Sequence, residues 1–230
     1  MKADTSEKGL ETLIFKAMTG YSSAPAATAG GVREGPGPYG GTGWLPGKAE
    51  DYDREYAVDL AHLREFLTTT KPDVAAILGL DEDGPTRRKF LARLQGEVSK
   101  RGIISILRHG IKHGPHSIDL FYGTPSPDNT KAIEHFAQNH FSVARQLRYS
   151  RDETQLALDL CLFFNGLPVI TVELKNNLTK QTVEDAVQQY RRDRDPRERL
   201  SEFGRCVVHL AVDDAEVRMC THLKGKASWF

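Results

Sequence analysis

Bulk charge gives this 230-residue chain no preferred partner: 31 Lys plus Arg stand against 31 Asp plus Glu. Any contact with a polyanion therefore needs local basic patches rather than a global field. Cysteine is scarce. Cys161, Cys206 and Cys220 make an odd set without metal-ligand spacing, which excludes a disulfide framework and reads as reduced core thiols of a cytoplasmic protein. No apolar run approaches the ~18 residues of a membrane span, and the polar start lacks the hydrophobic core of a secretory signal. A P-loop is missing too. Gly47-Lys48 ends a glycine-rich run, but Thr42 and Ala49 stand where the motif needs Gly and Ser or Thr, which excludes ATP binding by that route.

What is present is ordinary globular material, 39% hydrophobic and 27% charged, enough for one domain with or without a subdomain. Glu7 to Met18 reads as a helix with Leu10, Leu13, Ile14 and Ala17 on one stripe. From Gly20 to Gly47 lie nine of the 20 glycines and four prolines, a loop or disordered stretch. Ala49 to Leu67 and Thr86 to Lys100 read as amphipathic helices, the first with Tyr56, Leu60, Leu63 and Leu67 toward the core. Ile103 to Leu107 and Ser117 to Tyr122 read as strands. Between them, His109, His113 and His116 suggest zinc, but Gly110, Gly114 and Pro115 forbid a helix that would gather them and no fourth ligand is near, so an exposed loop is the better reading.

The later half is more specific. Phe141 to Tyr149 is expected to be a strand carrying Arg145, Gln146 and Arg148, with the two arginines on opposite faces by parity. Thr179 is expected to cap a helix from Lys180 to Arg192, with Leu178 and Val183 as its hydrophobic staple. Val183, Ala186, Val187 and Tyr190 form its buried stripe, and Gln189 borders that stripe. Pro196 ends the helical pattern. The run RRDRDPRER that spans this end is either a solvated face or a groove for phosphate or protein. Arg205 to Val212 should be a strand pairing in parallel after the crossover, and Glu216 to Thr221 a further strand.

Gln155 to Lys175, QLALDLCLFFNGLPVITVELK, carries the most chemistry. Two strand-like runs flank an Asn-Gly turn and hold Asp159, Glu173 and Lys175. A charge inside a strand built for burial needs a partner or a job. Glu173 and Lys175 share a face, with Leu174 turned away. A strict two-residue turn would pair Asp159 with Val172 and split the carboxylates between faces. A three-residue connection through Asn165, Gly166 and Leu167, or an equivalent bulge, sets Asp159 across from Glu173. Two facing carboxylates repel unless a cation lies between them, and an all-oxygen pair suits a hard ion such as Mg²⁺. Lys175 would then stand beside the ion, able to orient or deprotonate a water. The competing reading is a Glu-Lys pair at a sheet edge with Asp159 solvated.

The pattern D-x13-E-x-K on a buried hairpin followed by a helix resembles the PD-(D/E)XK nucleases. More closely, NHFSVARQLRYS, LDLCLFFNGLPVITVELKN, LTKQTVEDAVQQYRRDRDPRE and HLAVDDAEVRMCTHLKGK resemble the N-terminal nuclease region of type I restriction enzyme R subunits. Two departures stand out: Leu158 occupies the position of the superfamily's Pro, and Ala186 stands four residues before Tyr190 where Q-x3-Y would need Gln, which leaves Gln189 or Gln188 for that role.

The resemblance implies an α/β fold with an α-β-β-β-α-β core and an added N-terminal helical segment. It implies one domain over residues 1–230, with a loop at about 20–48, an elaboration at 49–135 and the catalytic core at 139–222, as a fragment of a longer R subunit. It implies Mg²⁺ held by Asp159, Glu173 and the Leu174 carbonyl, with Lys175 activating water and Gln189 orienting water or substrate. A first-helix acid, Glu11 or Glu7, is a further candidate ligand against a solvated charge, and Arg145 or Gln146 a DNA contact. The implied substrate is double-stranded DNA, and the implied partners are modification and specificity subunits and an ATP-driven translocase outside this chain. A domain fed DNA by a motor need not bind it tightly, which suits the neutral charge. The alternatives are a non-catalytic docking module of the same complex and a repair or recombination nuclease of the superfamily.

Overall fold

The computed structural model describes residues 7–21, 43–152 and 155–230. Most of the glycine-rich stretch expected to be a loop lies outside them. In chain order the elements are α1 (Glu7–Thr19), β1 (Leu45–Pro46), β2 (Tyr52–Asp53), β3 (Val58–Asp59), α2 (Leu60–Thr70), α3 (Pro72–Leu78), α4 (Pro85–Arg101), α5 (Ile103–His109), β4 (Ile111–His113) and β5 (His116–Ile118). There follow α6 (Thr130–Ala137), β6 (Phe141–Arg148), β7 (Ala157–Phe164), β8 (Leu167–Leu174), α7 (Val183–Arg192), β9 (Val208–Val212) and β10 (Val217–Cys220). The fold is mixed α/β.

A six-stranded sheet in the order β1-β6-β7-β8-β9-β10 organises the chain. β6, β7 and β8 are antiparallel neighbours, β9 joins β8 in parallel after α7, and β10 closes the edge antiparallel to β9. The parallel pairing is what a crossover through a helix demands. One face packs on the N-terminal helices, with Phe15, Phe66, Phe90 and Leu94 against Val143, Leu160, Val172 and Leu174. The other receives α7, whose Val183, Ala186, Val187 and Tyr190 stripe packs with Ala144, Cys161, Phe163 and Ala211. The three cysteines are free and buried. Among the described residues no helix is long and apolar enough to cross a membrane.

Four local expectations are corrected. The helix expected from Ala49 starts only at Leu60, because the Asp53 carboxylate accepts from the Glu55 and Tyr56 amides and bends the chain, and Asp59 caps α2 by accepting from the His62 amide. Ile103 to Leu107 is helical, not a strand. Ile103 and Ile106 are buried and Ile104 exposed, a three-residue spacing that a short apolar run conceals. Of Ser117 to Tyr122, only the start is paired, in β5. The last helix begins at Val183 rather than Lys180, since the Asp185 carboxylate accepts the Thr182 N–H at 2.8 Å, one turn beyond Thr179. The Leu178 side chain of the expected staple lies outside the described residues.

The β7–β8 turn docks on α2. Asn165 and Gly166 both take positive φ, 51° and 80°, the backbone of a two-residue hairpin turn. Gly166 lies so close to α2 that a Cβ would sit 2.3 Å from the Asp59 carbonyl oxygen and 2.7 Å from the Leu63 nitrogen. Gly166→Ala is therefore expected to cost about 3 kcal/mol, a fall of roughly 6–12 °C in Tm by calorimetry. An unchanged Tm would show that the turn can move away from the helix.

Candidate active site

The site forms where strands separate. β7 and β8 pair as Leu160↔Val172, Cys161↔Thr171 and Leu162↔Ile170, then shift to Phe163↔Pro168 and Phe164↔Leu167. The turn is thus the strict two-residue one, and Val169 is the extra residue. The three-residue connection is not used; the equivalent bulge, moved up the hairpin, restores the same register. Carried one step past Leu160↔Val172, that register sets Asp159 across from Glu173. Here the backbone ladder stops, and Asp159 Oδ2 accepts the Leu174 N–H at 2.7 Å.

A second irregularity faces it. β6 pairs with β7 at Arg145↔Leu160 and Leu147↔Leu158, but Gln146, opposite Asp159, has φ 49°. Alternation would put Leu147 on the face of Val143, yet it packs on the α7 side with Leu158. Regular alternation would put sequence neighbours on opposite faces of β6, and it fails at this kink. Arg145 and Gln146, adjacent in sequence, both donate to the Glu11 carboxylate of α1: Arg145 through Nε to Oε1, and Gln146 through Nε2 to Oε2 at 2.5 Å. Gln146 Nε2 also donates to Asp159 Oδ1 at 3.2 Å. A strained backbone sustained at such a point is characteristic of functional sites.

Burial divides the acids. Asp159 is half-buried and Gln146 exposed, whereas Glu11 and Glu173 are buried and Lys175 nearly so. Glu11 is therefore not a solvated helix-face charge. Its carboxylate is held by Arg145 and Gln146, one amide away from Asp159. Nothing is described of the Glu7 side chain. Lys175 continues from β8, its N–H donating to the Val212 carbonyl of β9 at 2.8 Å.

Glu173 has a partner the sequence did not announce. Arg194, fully buried, donates through Nε to Glu173 Oε1 at 2.5 Å and through Nη2 to the Ala157 carbonyl at 2.7 Å, bridging the two diverging strands. Its guanidinium also lies over the Tyr149 ring. Part of RRDRDPRER is thus neither a solvated face nor a groove. An arginine run usually signals surface, and only the packing beneath α7 distinguishes this one. Gln189 is half-buried on α7, and among the described residues no hydrogen bond joins it to Asp159, Glu173 or Lys175. Gln188 donates to Glu184 on its own helix. The glutamine at the site is Gln146.

Burial pushes the Glu173 carboxyl up to about 8, against the pull of Arg194 and with a further rise from Asp159. One of its oxygens, Oε2, is buried without a hydrogen-bond partner among the described residues. Facing carboxylates and an orphaned buried oxygen fit a hard divalent cation held by Asp159 and Glu173. Glu11, Asp159 and Glu173 do not gather as a compact three-acid cluster. Among the described residues, the cluster with ligand atoms within 4.8 Å of one another is His62, Glu65 and His140. His109, His113 and His116 form no such group.

A pH dependence follows. Glu173 is raised from 4.5 to about 8, so the native state binds the extra proton and stability is lost as pH climbs through that window. His209, bonded to Thr171 and buried, is lowered from 6.5 to about 4; its contribution is present above 6.5 and lost as pH falls. The two oppose below about 6.5, and from there to about 8 Glu173 alone acts. In chelator, Tm should fall across that upper interval and Glu173→Gln should flatten the profile. A wild-type profile already flat there would show that Glu173 stays ionised throughout.

No curated protein and no solved structure gives a significant match to this sequence. A family model does. Residues 115–228, which hold β6 to β10, α7 and the Asp159, Glu173 and Lys175 constellation, match the type I restriction enzyme R protein N terminus, and through them the chain belongs to that family.

Proposed function

We propose that this domain is the DNA-cutting module of a type I restriction R subunit, a magnesium-dependent endonuclease acting on double-stranded DNA with a PD-(D/E)XK core. The observation that carries the reading is the β7–β8 register, which, continued one step past its last pair Leu160↔Val172, sets Asp159 opposite Glu173. The order α1, three antiparallel strands, α7 and a parallel β9 supports it, as does the family of residues 115–228.

In this reading Asp159, Glu173 and the Leu174 carbonyl hold Mg²⁺. When bound, the ion makes a water more acidic and offsets charge on the phosphate. Lys175 orients that water as the ammonium or, as the neutral amine, takes its proton at Nζ and becomes the ammonium; in either case the resulting charge faces the phosphate oxygens as they become more negative. Gln146 fixes the Asp159 carboxylate while Arg145 anchors Glu11, so the role expected of Gln189 passes to Gln146. Arg194 holds Glu173 in place between the strands.

The implied setting is cytoplasmic: a complex with modification and specificity subunits that read the DNA, and an ATP-driven translocase elsewhere in the R subunit. Nicking of supercoiled plasmid by the reconstituted complex, with Mg²⁺ against chelator, tests this. Metal-dependent nicking is expected; cutting that is indifferent to chelator would overturn it. The closed Arg194–Glu173 pair favours one competing role, a non-catalytic docking module, which predicts no nicking dependent on Asp159.

A further inference from the structure

We propose a second metal site, for Zn²⁺, built by His62, Glu65 and His140 at the opposite end of the hairpin from Asp159. His62 and Glu65 lie three residues apart on α2 and so share a face. His140 immediately precedes β6 and is held rigidly by the hairpin turn: its N–H donates to Asn165 Oδ1 at 2.6 Å, and the Asn165 N–H returns to its carbonyl at 2.7 Å. Its side chain is buried, and the turn asparagine is anchored in addition to the Leu120 carbonyl and the Asn139 side chain.

Two of the three separations are those of ligands around one ion, and all three ligand atoms lie within 4.8 Å of one another. His62 Nδ1 lies 3.4 Å from His140 Nδ1, and His140 Nδ1 lies 3.5 Å from Glu65 Oε2. Zinc bonded to nitrogen at ~2.0–2.1 Å and to oxygen at ~2.0–2.2 Å puts the ligand atoms of a tetrahedron roughly 3.3–3.5 Å apart. Both separations are long for hydrogen bonds, and the one nitrogen of His140 that faces both partners carries at most one proton.

The surroundings add an independent observation. Asp59, the buried cap of α2, uses Oδ1 for the His62 N–H, while its Oδ2 is buried, has no hydrogen-bond partner among the described residues and lies 4.0 Å from His62 Nε2. At that distance the carboxylate makes no hydrogen bond, but its charge behind the far ring nitrogen favours the proton there and leaves the Nδ1 lone pair for the metal. Three protein ligands leave the fourth position to water on the side of exposed Glu65.

Six residues of strand separate Asp159 from Asn165, about 20 Å, so this ion takes no part in the proposed DNA cleavage. It cross-links α2, outside the family-matched residues, to the start of β6, inside them. It acts as a staple between elaboration and core.

The test uses the untagged, chelator-stripped chain with Zn²⁺ or Co²⁺ alone. Wild type should take up one Zn²⁺ in competition with a chromogenic chelator, and Co²⁺ should give the strong visible absorption of a tetrahedral site. At free zinc about a hundred times the dissociation constant, Tm should rise by roughly 5–10 °C. His62→Ala and His140→Ala should abolish these responses. Glu65→Gln, at an exposed position where folding is not at risk, should weaken zinc binding by at least about tenfold. The proposal is overturned if wild type binds no zinc, if Glu65→Gln binds it as tightly, or if the cobalt spectrum is lost in Asp159→Ala instead.

Discussion

Asp159→Asn and Lys175→Ala will each reduce magnesium-dependent plasmid nicking by the reconstituted complex by roughly 10²–10⁴-fold, the range spanned by loss of a positioned acid–base group. Asparagine keeps an oxygen that can accept the Leu174 N–H at the Asp159 position, so the strand ends stay joined and the loss reports on charge. In Lys175→Ala the backbone N–H still pairs with Val212 of β9 whatever the side chain. ATP hydrolysis by the translocase should persist in both variants, which separates lost chemistry from lost assembly. Equal nicking by wild type and both variants would end the catalytic assignment and leave docking as the better account.

At pH 9, above the value of about 8 to which burial pushes the Glu173 carboxyl, Arg194→Met will lower stability by about 3–5 kcal/mol, because it strands the Glu173 carboxylate in a buried site without its guanidinium. For a chain of this length that is roughly 10 °C in Tm. Adding Glu173→Gln should recover most of the loss, since what destabilises is the uncompensated charge rather than the missing side chain. A second readout addresses function. If Mg²⁺ and the guanidinium both satisfy Glu173, added Mg²⁺ should stabilise Arg194→Met more than it stabilises wild type. Arg194→Met as stable as wild type would mean that the buried ion pair contributes nothing, and with it the account of how Glu173 is held would fail.

The hairpin shows what could be read in advance. Asn165-Gly166 announced the turn, and the conflict between a two-residue turn and opposed carboxylates announced a bulge somewhere. Its position could not be read, because Val169 and Gly166 are equally consistent with restoring the register and only packing against α2 chooses between them. The stripe on α7 was legible because four apolar residues at helical spacing have no other use. Its start was not, since Thr179 and Thr182 are both competent caps and the acid that decides, Asp185, acts through a local hydrogen bond. Arg194 was hidden for a related reason: nothing in RRDRDPRER marks which of five guanidiniums turns inward.

Gln146 and Glu11 illustrate the remaining gap. Strand parity is a rule about regular backbone, under which the neighbours Arg145 and Gln146 would fall on opposite sides. A single residue at φ 49° sets that rule aside and lets both reach one carboxylate 134 and 135 positions earlier in the chain.

Residue type and spacing along the chain alone determined the α/β class, the hairpin with its three charged residues and the apolar stripe of the following helix, while the family was legible only as a resemblance of longer strings. Those features are local, written in periods of two and three to four residues and in turn chemistry. Tertiary structure decided where the bulge falls, which arginine is buried, which glutamine meets Asp159, and that His62 and Glu65 approach His140. Each depends on groups distant in sequence competing for the same buried volume and the same few hydrogen bonds, and no local pattern records that competition.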